Sequence, residues 1–227
     1  MAKFYKVGGC VRDALLGVES KDIDYTVTAE SFADMRAAIL DRGGEIFLET
    51  PKFFTIRAKV PQLGACDYVL ARKEGKYSDG RRPDSVEMGT IEDDLARRDF
   101  TVNAIAEDES GALIDPFGGQ IDLNKKLLRC VGNTEMRMRE DALRMLRAIR
   151  FHITKGFDFC SDLFAFLFNP KNATLLASVS IERVREELVK CFDKDTLKTL
   201  SLLNEFPAIR FHVFSRNLKL TPTIKQV

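Results

Sequence analysis

Along the first half of the chain, short apolar runs alternate with polar breaks. Residues 4–7, 23–27, 45–48, 53–60 and 67–70 collect apolar, β-branched and aromatic side chains, and are predicted to be strands. Between the second and third of these, 31–42 places Phe32, Met35 and Ile39 at helical spacing and stops at Gly43-Gly44, which predicts a helix accompanying a sheet. From Ile121 onward the strand signal fades. Stretches 134–153, 161–168 and 180–204 carry apolar residues three and four apart, Leu143, Leu146 and Ile149 among them, and are predicted to be helical. The best boundary between the two regimes is Asp115-Pro116-Phe117-Gly118-Gly119, where proline fixes one backbone angle and paired glycines permit a sharp turn. No internal repeat or low-complexity segment interrupts the pattern.

Composition narrows the class. With 227 residues, 45% hydrophobic and 30% charged, the chain can bury a core without help from disulfides. No run of about 18 apolar residues occurs, and Met1-Ala2-Lys3-Phe4-Tyr5-Lys6 lacks the apolar block of a signal peptide. A soluble, cytoplasmic protein without membrane attachment is expected. Cys10, Cys66, Cys130, Cys160 and Cys191 form no C-x-x-C pair and are expected to be reduced and mostly buried. His152 and His212 are too few for a histidine-rich metal centre of the kind a metal-dependent phosphohydrolase needs, so any metal must be held by carboxylates.

The net charge of +1 conceals an uneven distribution. Residues 1–121 carry 16 Lys+Arg against 22 Asp+Glu, residues 122–155 nine against four, and residues 206–227 four against none. Such variation suits plain solvated faces, or an acidic, metal-binding half joined to a basic, phosphate-binding one.

Five motifs bear on chemistry. Gly8-Gly9-Cys10-Val11-Arg12-Asp13 follows a predicted strand and opens an apolar helical stretch. Adjacent glycines there let backbone amides approach a phosphate to which Arg12 adds a charge-assisted bond, although a plain strand-to-helix turn has the same residues. In Asp22-Ile23-Asp24, a strand puts both carboxylates on one face with Ile23 turned inward, an arrangement that can bridge two Mg²⁺ ions; two solvent-facing acids are the alternative. Asp67, opening another strand, is either a third carboxylate or an exposed strand acid. Residues 72–90 form a long polar loop suited to a mobile lid. In Glu92-Asp93-Asp94-Leu95-Ala96-Arg97-Arg98-Asp99, two arginines can grip a triphosphate, with Asp99 orienting one of them, or can belong to a surface ion-pair network. Finally, residues 140–150 are predicted to be one amphipathic helix. Asp141 and Arg144 then share a face at i, i+3, with Arg147 and Arg150 continuing a basic stripe. That pair offers the acceptors and donors that a base edge requires, or is a simple intrahelical ion pair.

In order and spacing, these motifs resemble the class II tRNA nucleotidyltransferases, comprising CCA-adding enzymes and bacterial poly(A) polymerases. GGCVRD and DID match the family's phosphate and metal motifs, and DYVLARKEGKYSDGRRP its flexible loop. RRDFTVNAIA, DPFGG, EDALRMLRAIRF and SIERVREEL match the later ones, so the resemblance runs over about residues 3–190. It implies an α+β fold: a polymerase-β-like head with a mixed β-sheet over 1–121, an all-helical neck and short body over 122–204, and a reduced basic tail over 205–227. By the same resemblance, Asp22 and Asp24 hold Mg²⁺, and Asp67 stays beside them as a candidate third catalytic carboxylate from its place on the next strand. Gly8, Gly9, Arg12 and Arg98 bind the triphosphate. Asp141 and Arg144 pair with the base of CTP or ATP, and Arg147 and Arg150 assist. The tRNA 3′-hydroxyl attacks the α-phosphate and pyrophosphate leaves, with no covalent enzyme intermediate. An A-adding enzyme or a poly(A) polymerase would share nearly every motif, and a catalytically silent tRNA-binding module would share the surface. Family members commonly continue into longer body and tail regions. With Arg210, Arg216, Lys219 and Lys225 and no acid over residues 206–227, weak, salt-sensitive tRNA binding is expected unless a homodimer or a mobile tail compensates.

Overall fold

The computed structural model describes residues 2–20, 22–61, 63–75, 84–216, 218 and 220. The expected lid's residues 76–83 and the tail's Lys219 and Lys225 lie outside that set. The described residues form two compact units that part between Lys125 and Lys126.

The first unit runs β1 (Lys3–Val7), α1 (Gly9–Leu15), β2 (Asp24–Thr28), α2 (Phe32–Asp41), β3 (Glu45–Thr50), β4 (Thr55–Val60), β5 (Gly64–Leu70), β6 (Arg72–Glu74), β7 (Val86–Met88), α3 (Ile91–Ala96), β8 (Ala106–Glu107), β9 (Leu113–Ile114) and α4 (Gly119–Asn124). Seven strands make one sheet in the order β3-β4-β5-β2-β1-β8-β9, in which β2 and β5 are parallel and the other neighbours antiparallel. The expected mixed sheet is therefore present. Tyr25, Val27, Ile56, Ala58, Tyr68 and Leu70 face a core shared with Met35 and Ile39 of α2. Because side chains alternate along a strand, the intervening Asp24, Arg57 and Asp67 fall on the opposite face.

Local chemistry sets the ends of these elements. Ser31 caps α2 by accepting from Asp34 N at 3.0 Å, and Thr90 with Asp93 closes a reciprocal capping box on α3. The strand expected at 53–60 starts only at Thr55. Pro51 opens a 3-10 turn, and Phe54 then takes a left-handed φ of 56° that no strand admits. The Asp115–Gly119 segment caps the helix that follows it. Asp115 accepts from Gly119 N at 2.7 Å and Gln120 N at 2.9 Å, and α4 packs on the 3-10 turn at Thr101–Asn103. A Cβ on Gly119 would lie 2.2 Å from the Thr101 carbonyl oxygen, so only glycine lets that approach occur.

The second unit contains β10 (Leu127–Leu128), α5 (Thr134–Glu140), α6 (Leu143–Lys155), β11 (Asp158–Phe159), α7 (Ser161–Phe168), α8 (Pro170–Ala173), α9 (Ile181–Lys194), α10 (Thr196–Glu205) and α11 (Pro207–Phe214). It is mainly helical but not wholly so: β10 and β11 pair in parallel over two residues, bringing buried Leu128 beside Phe159. The core lies between α6 and α9, where Leu146, Ile149, Val184, Leu188 and Cys191 are buried. The stretch read as a tail begins as helix α11, anchored by buried Ile209 and Val213. All five cysteines are free and four are buried. Among the described residues, no helix is long and apolar enough to cross a membrane.

Candidate active site

In the first unit the chain leaves β1 at Gly8, whose φ of 74° suits glycine. A Cβ there would sit 2.7 Å from Nη1 of Arg98. Gly9 opens α1, where Arg12 is buried at 6% exposure, bonded to Asp13 at 2.8 Å and donating Nη1 to Asn103 Oδ1. Arg98 follows α3, donates Nη2 to Asp94 at 3.0 Å, and keeps a buried Nε that meets no acceptor among the described residues. Two guanidinium groups thus gather around the glycine turn. Since α1 has only seven residues, the positive character of this corner rests on Arg12 and Arg98 more than on a helix dipole.

Asp94 is a carboxylate that holds both arginines of the later motif. It is fully buried and accepts from Arg97 at 2.6 and 2.8 Å, from Arg98, and from Thr26 Oγ1 at 3.0 Å. Burial alone would raise its pKa, but the charges and hydrogen bonds of Arg97 and Arg98 outweigh that and hold it below the usual carboxylate range. Asp99 accepts from Phe100 N and from Asn103 Nδ2. Asn103 therefore ties Arg12 to the Asp99 turn. The spacing from Asp94 to Arg97 and Arg98, three and four residues along one helical turn, is the signal that could have identified Asp94. Asn103 lies in the RRDFTVNAIA motif but was given no role from sequence.

Asp22 is exposed just before β2, Asp24 opens that strand, and Asp67 on β5 is Asp24's register partner. The carboxyl of Asp24 is pushed above its ordinary range, first by desolvation and then by the negative charges of Asp67 and Asp22, against the pull of Arg98 and Arg57. Asp67 is committed elsewhere: Arg57 on β4 grips both its oxygens, at 2.6 and 3.0 Å. In keeping with this, no three His, Cys, Asp or Glu side chains among the described residues are gathered to hold an ion. Asp22 and Asp24 nevertheless form a hard-oxygen donor set whose uncompensated charge suits a cation such as Mg²⁺, which is commonly held by one or two carboxylates and keeps its waters.

In the second unit the expected single helix over 140–150 is broken. Asp141 has extended backbone (φ −148°, ψ 103°) between α5 and α6, and its side chain accepts from Leu143 N at 3.1 Å. No glycine or proline causes the break. Asp141 is fixed from a distant part of the sequence by Arg183 of α9, which donates to both its oxygens at 2.8 and 3.3 Å. Asp141 and Arg144 consequently do not share one helical face as an ion pair. Arg144, 8% exposed, bonds Glu140 at 2.7 Å and the Arg137 carbonyl at 2.7 Å. Arg150 pairs with Glu187 and lies 4.5 Å from the centre of the Phe151 ring, and Arg147 lies 5.9 Å from the same centre. Arg183, Glu187 and Glu140 were not singled out from sequence, although the first two lie in the SIERVREEL motif.

The chain is similar to known proteins in sequence and in fold. A CCA-adding enzyme from Geobacillus thermodenitrificans is 42% identical over 193 residues, covering 82% of this chain and 44% of that protein. The crystal structure of a Bacillus stearothermophilus CCA-adding enzyme in complex with CTP superposes with a TM-score of 0.78 at 36% identity, over 91% of this chain and 49% of that one. A Thermotoga maritima CCA-adding enzyme complexed with tRNA gives 0.77 at 29%, over 97% and 50%. The chain thus spans about half the length of the relatives it matches. Residues 4–129 match the model of the poly A polymerase head domain, and the chain belongs to that family.

Proposed function

We propose that the chain transfers nucleotides to RNA without a nucleic-acid template, adding C, C and A to the 3′ end of tRNA from CTP and ATP. The observation that carries this reading is the juxtaposition, in one unit, of exposed Asp22 and Asp24 and half-buried Asp67 with two largely buried arginines beside Gly8. Likeness to CCA-adding enzymes supplies the substrate class. Arg12 and Arg98 bind the triphosphate oxygens, Arg98 through donors that Asp94 leaves open, and the absence of side chains at Gly8 and Gly9 lets a phosphate approach the backbone. Asp22 and Asp24 would hold Mg²⁺, which when bound supplies activation of the attacking hydroxyl and neutralises charge on the departing pyrophosphate. Asp141 and Arg144 present an acceptor and a donor to the base, each oriented by its ion-pair partner, Arg183 or Glu140. Arg147 and Arg150 add positive charge along α6. Acting on tRNA, such a protein works in the cytoplasm.

The test is single-nucleotide-resolution extension of tRNA ending at the discriminator base, after C, or after CC, with Mg²⁺ and CTP, ATP or both. Extension that stops at CCA is the expected result. Addition of A to the CC-ended tRNA alone would replace the reading with an A-adding enzyme, and an open-ended A ladder with a poly(A) polymerase. No extension by folded protein would make it a binding module.

A further inference from the structure

Asp67 stands between unlike neighbours on one face of the sheet. Its register partner on β2 is Asp24, and on β4 it is Arg57. Directly opposed cross-strand side chains start about 5 Å apart, so Arg57, Asp67 and Asp24 form a row of one positive and two negative groups. The Arg57 fork occupies both oxygens of Asp67. Core packing does not call for arginine at this position: Ile56 and Ala58 on either side supply the buried face of β4, whereas the Arg57 side chain is half exposed on the other. No motif read from the sequence includes it.

We propose that Arg57 is a positioning residue that withholds Asp67 from the divalent-ion site. With the fork closed, an ion meets Asp22 and Asp24, and the third carboxylate joins only when the fork opens. The inference rests on the reading of Asp22 and Asp24 as ion-binding carboxylates. The guanidinium also offsets one of three like charges crowded at this corner, so the acidic row is tolerated before any cation arrives. Placing Arg57 beside the acids sets the number of carboxylates an ion meets without changing the acids themselves.

The deciding experiment measures Mn²⁺ binding to nucleotide-free protein by electron paramagnetic resonance, with Mg²⁺ as competitor, so that no catalytic turnover enters the readout. Arg57→Val is expected to tighten Mn²⁺ binding roughly tenfold, because the freed carboxylate joins the site. Adding Asp67→Asn to that variant should return the affinity to within about twofold of the parent. Unchanged binding by Arg57→Val would overturn the proposal. So would a gain that survives Asp67→Asn, since Arg57 would then be a through-space charge and not a clamp. Arg57→Lys keeps the charge but loses the fork, and is expected to gain about threefold. It serves as the test if the valine variant fails to melt cooperatively, and no gain there would count equally against the clamp. Asp24→Asn separates the two readings: full Mn²⁺ affinity in that variant would sink the assignment of the carboxylates themselves.

Discussion

The two acids proposed to hold a metal in the first unit and the side chains proposed to read the base in the second are held in opposite ways. In the first, Asp22 and Asp24 are exposed beside a third acid, and desolvation with like charge keeps Asp24 harder to ionise than an ordinary carboxylate. In the second, Asp141 is paired with Arg183, Arg144 with Glu140, and Arg150 with Glu187. On the proposed function, the difference separates two tasks. Acids left with excess negative charge gain from an arriving cation, whereas side chains that must present a fixed pattern of donors and acceptors gain from partners that lock their rotamers.

The sharpest way to break this contrast is to remove an acid from the first unit. Asp24→Asn is expected to lower nucleotide incorporation by roughly a thousandfold or more while the circular dichroism spectrum is unchanged. Retained activity would mean that the unpaired acids are not the reacting centre. Next comes Asp94→Ala, which strands Arg97 and Arg98 beside an emptied buried site and should cost about 3–5 kcal/mol in urea unfolding. The pH dependence follows from the sign of its shift. A carboxylate with a depressed folded pKa contributes stability that is full above its unfolded value, about pH 4, and is lost as pH falls through the folded value. Asp94→Asn should therefore flatten the acid limb of the stability curve.

A smaller effect is expected in the second unit. Arg144→Ala should relax discrimination of CTP and ATP against UTP by roughly ten- to a hundredfold, with little change in tRNA affinity. If the pair with Arg183 sets Asp141's rotamer, Arg183→Ala should erode the same discrimination without touching the base. Smallest of all, Arg36→Ala removes an exposed ion pair with Glu49 and should shift unfolding by about 0.5 kcal/mol or less. A larger shift would show that surface pairing, and not placement at the site, governs the contrast.

Much of the first unit was legible because its signals are local. Ser31 and the Gly43-Gly44 stop bracket the helix expected at 31–42, and β1 and β2 fall within one residue of the apolar runs that predicted them, whereas β5 starts at Gly64, three residues before the expected strand. The start of β4 was missed because Phe53 looks like strand by side chain, while Pro51 and the left-handed Phe54 keep the backbone out of it. The Arg97-Arg98 pair was legible, but only Asp99, next in sequence, was named as orienting one of them, and Asp94, to which helical geometry points back, was not singled out. The break at Asp141 left no trace in a run of good helix formers.

By itself, the sequence determined the kinds of element, the change from sheet to helices, and the side chains capable of binding phosphate, metal and base. These depend on periodicity and residue chemistry within a few positions of the chain. Tertiary structure decided how those side chains are engaged: Arg57 closes on Asp67 across a strand pair, Arg183 reaches Asp141 from 42 residues away, and Arg12 meets Asn103 from 91 away. Such partnerships come from the register of strands and the packing of helices, which bring together groups that no local pattern relates.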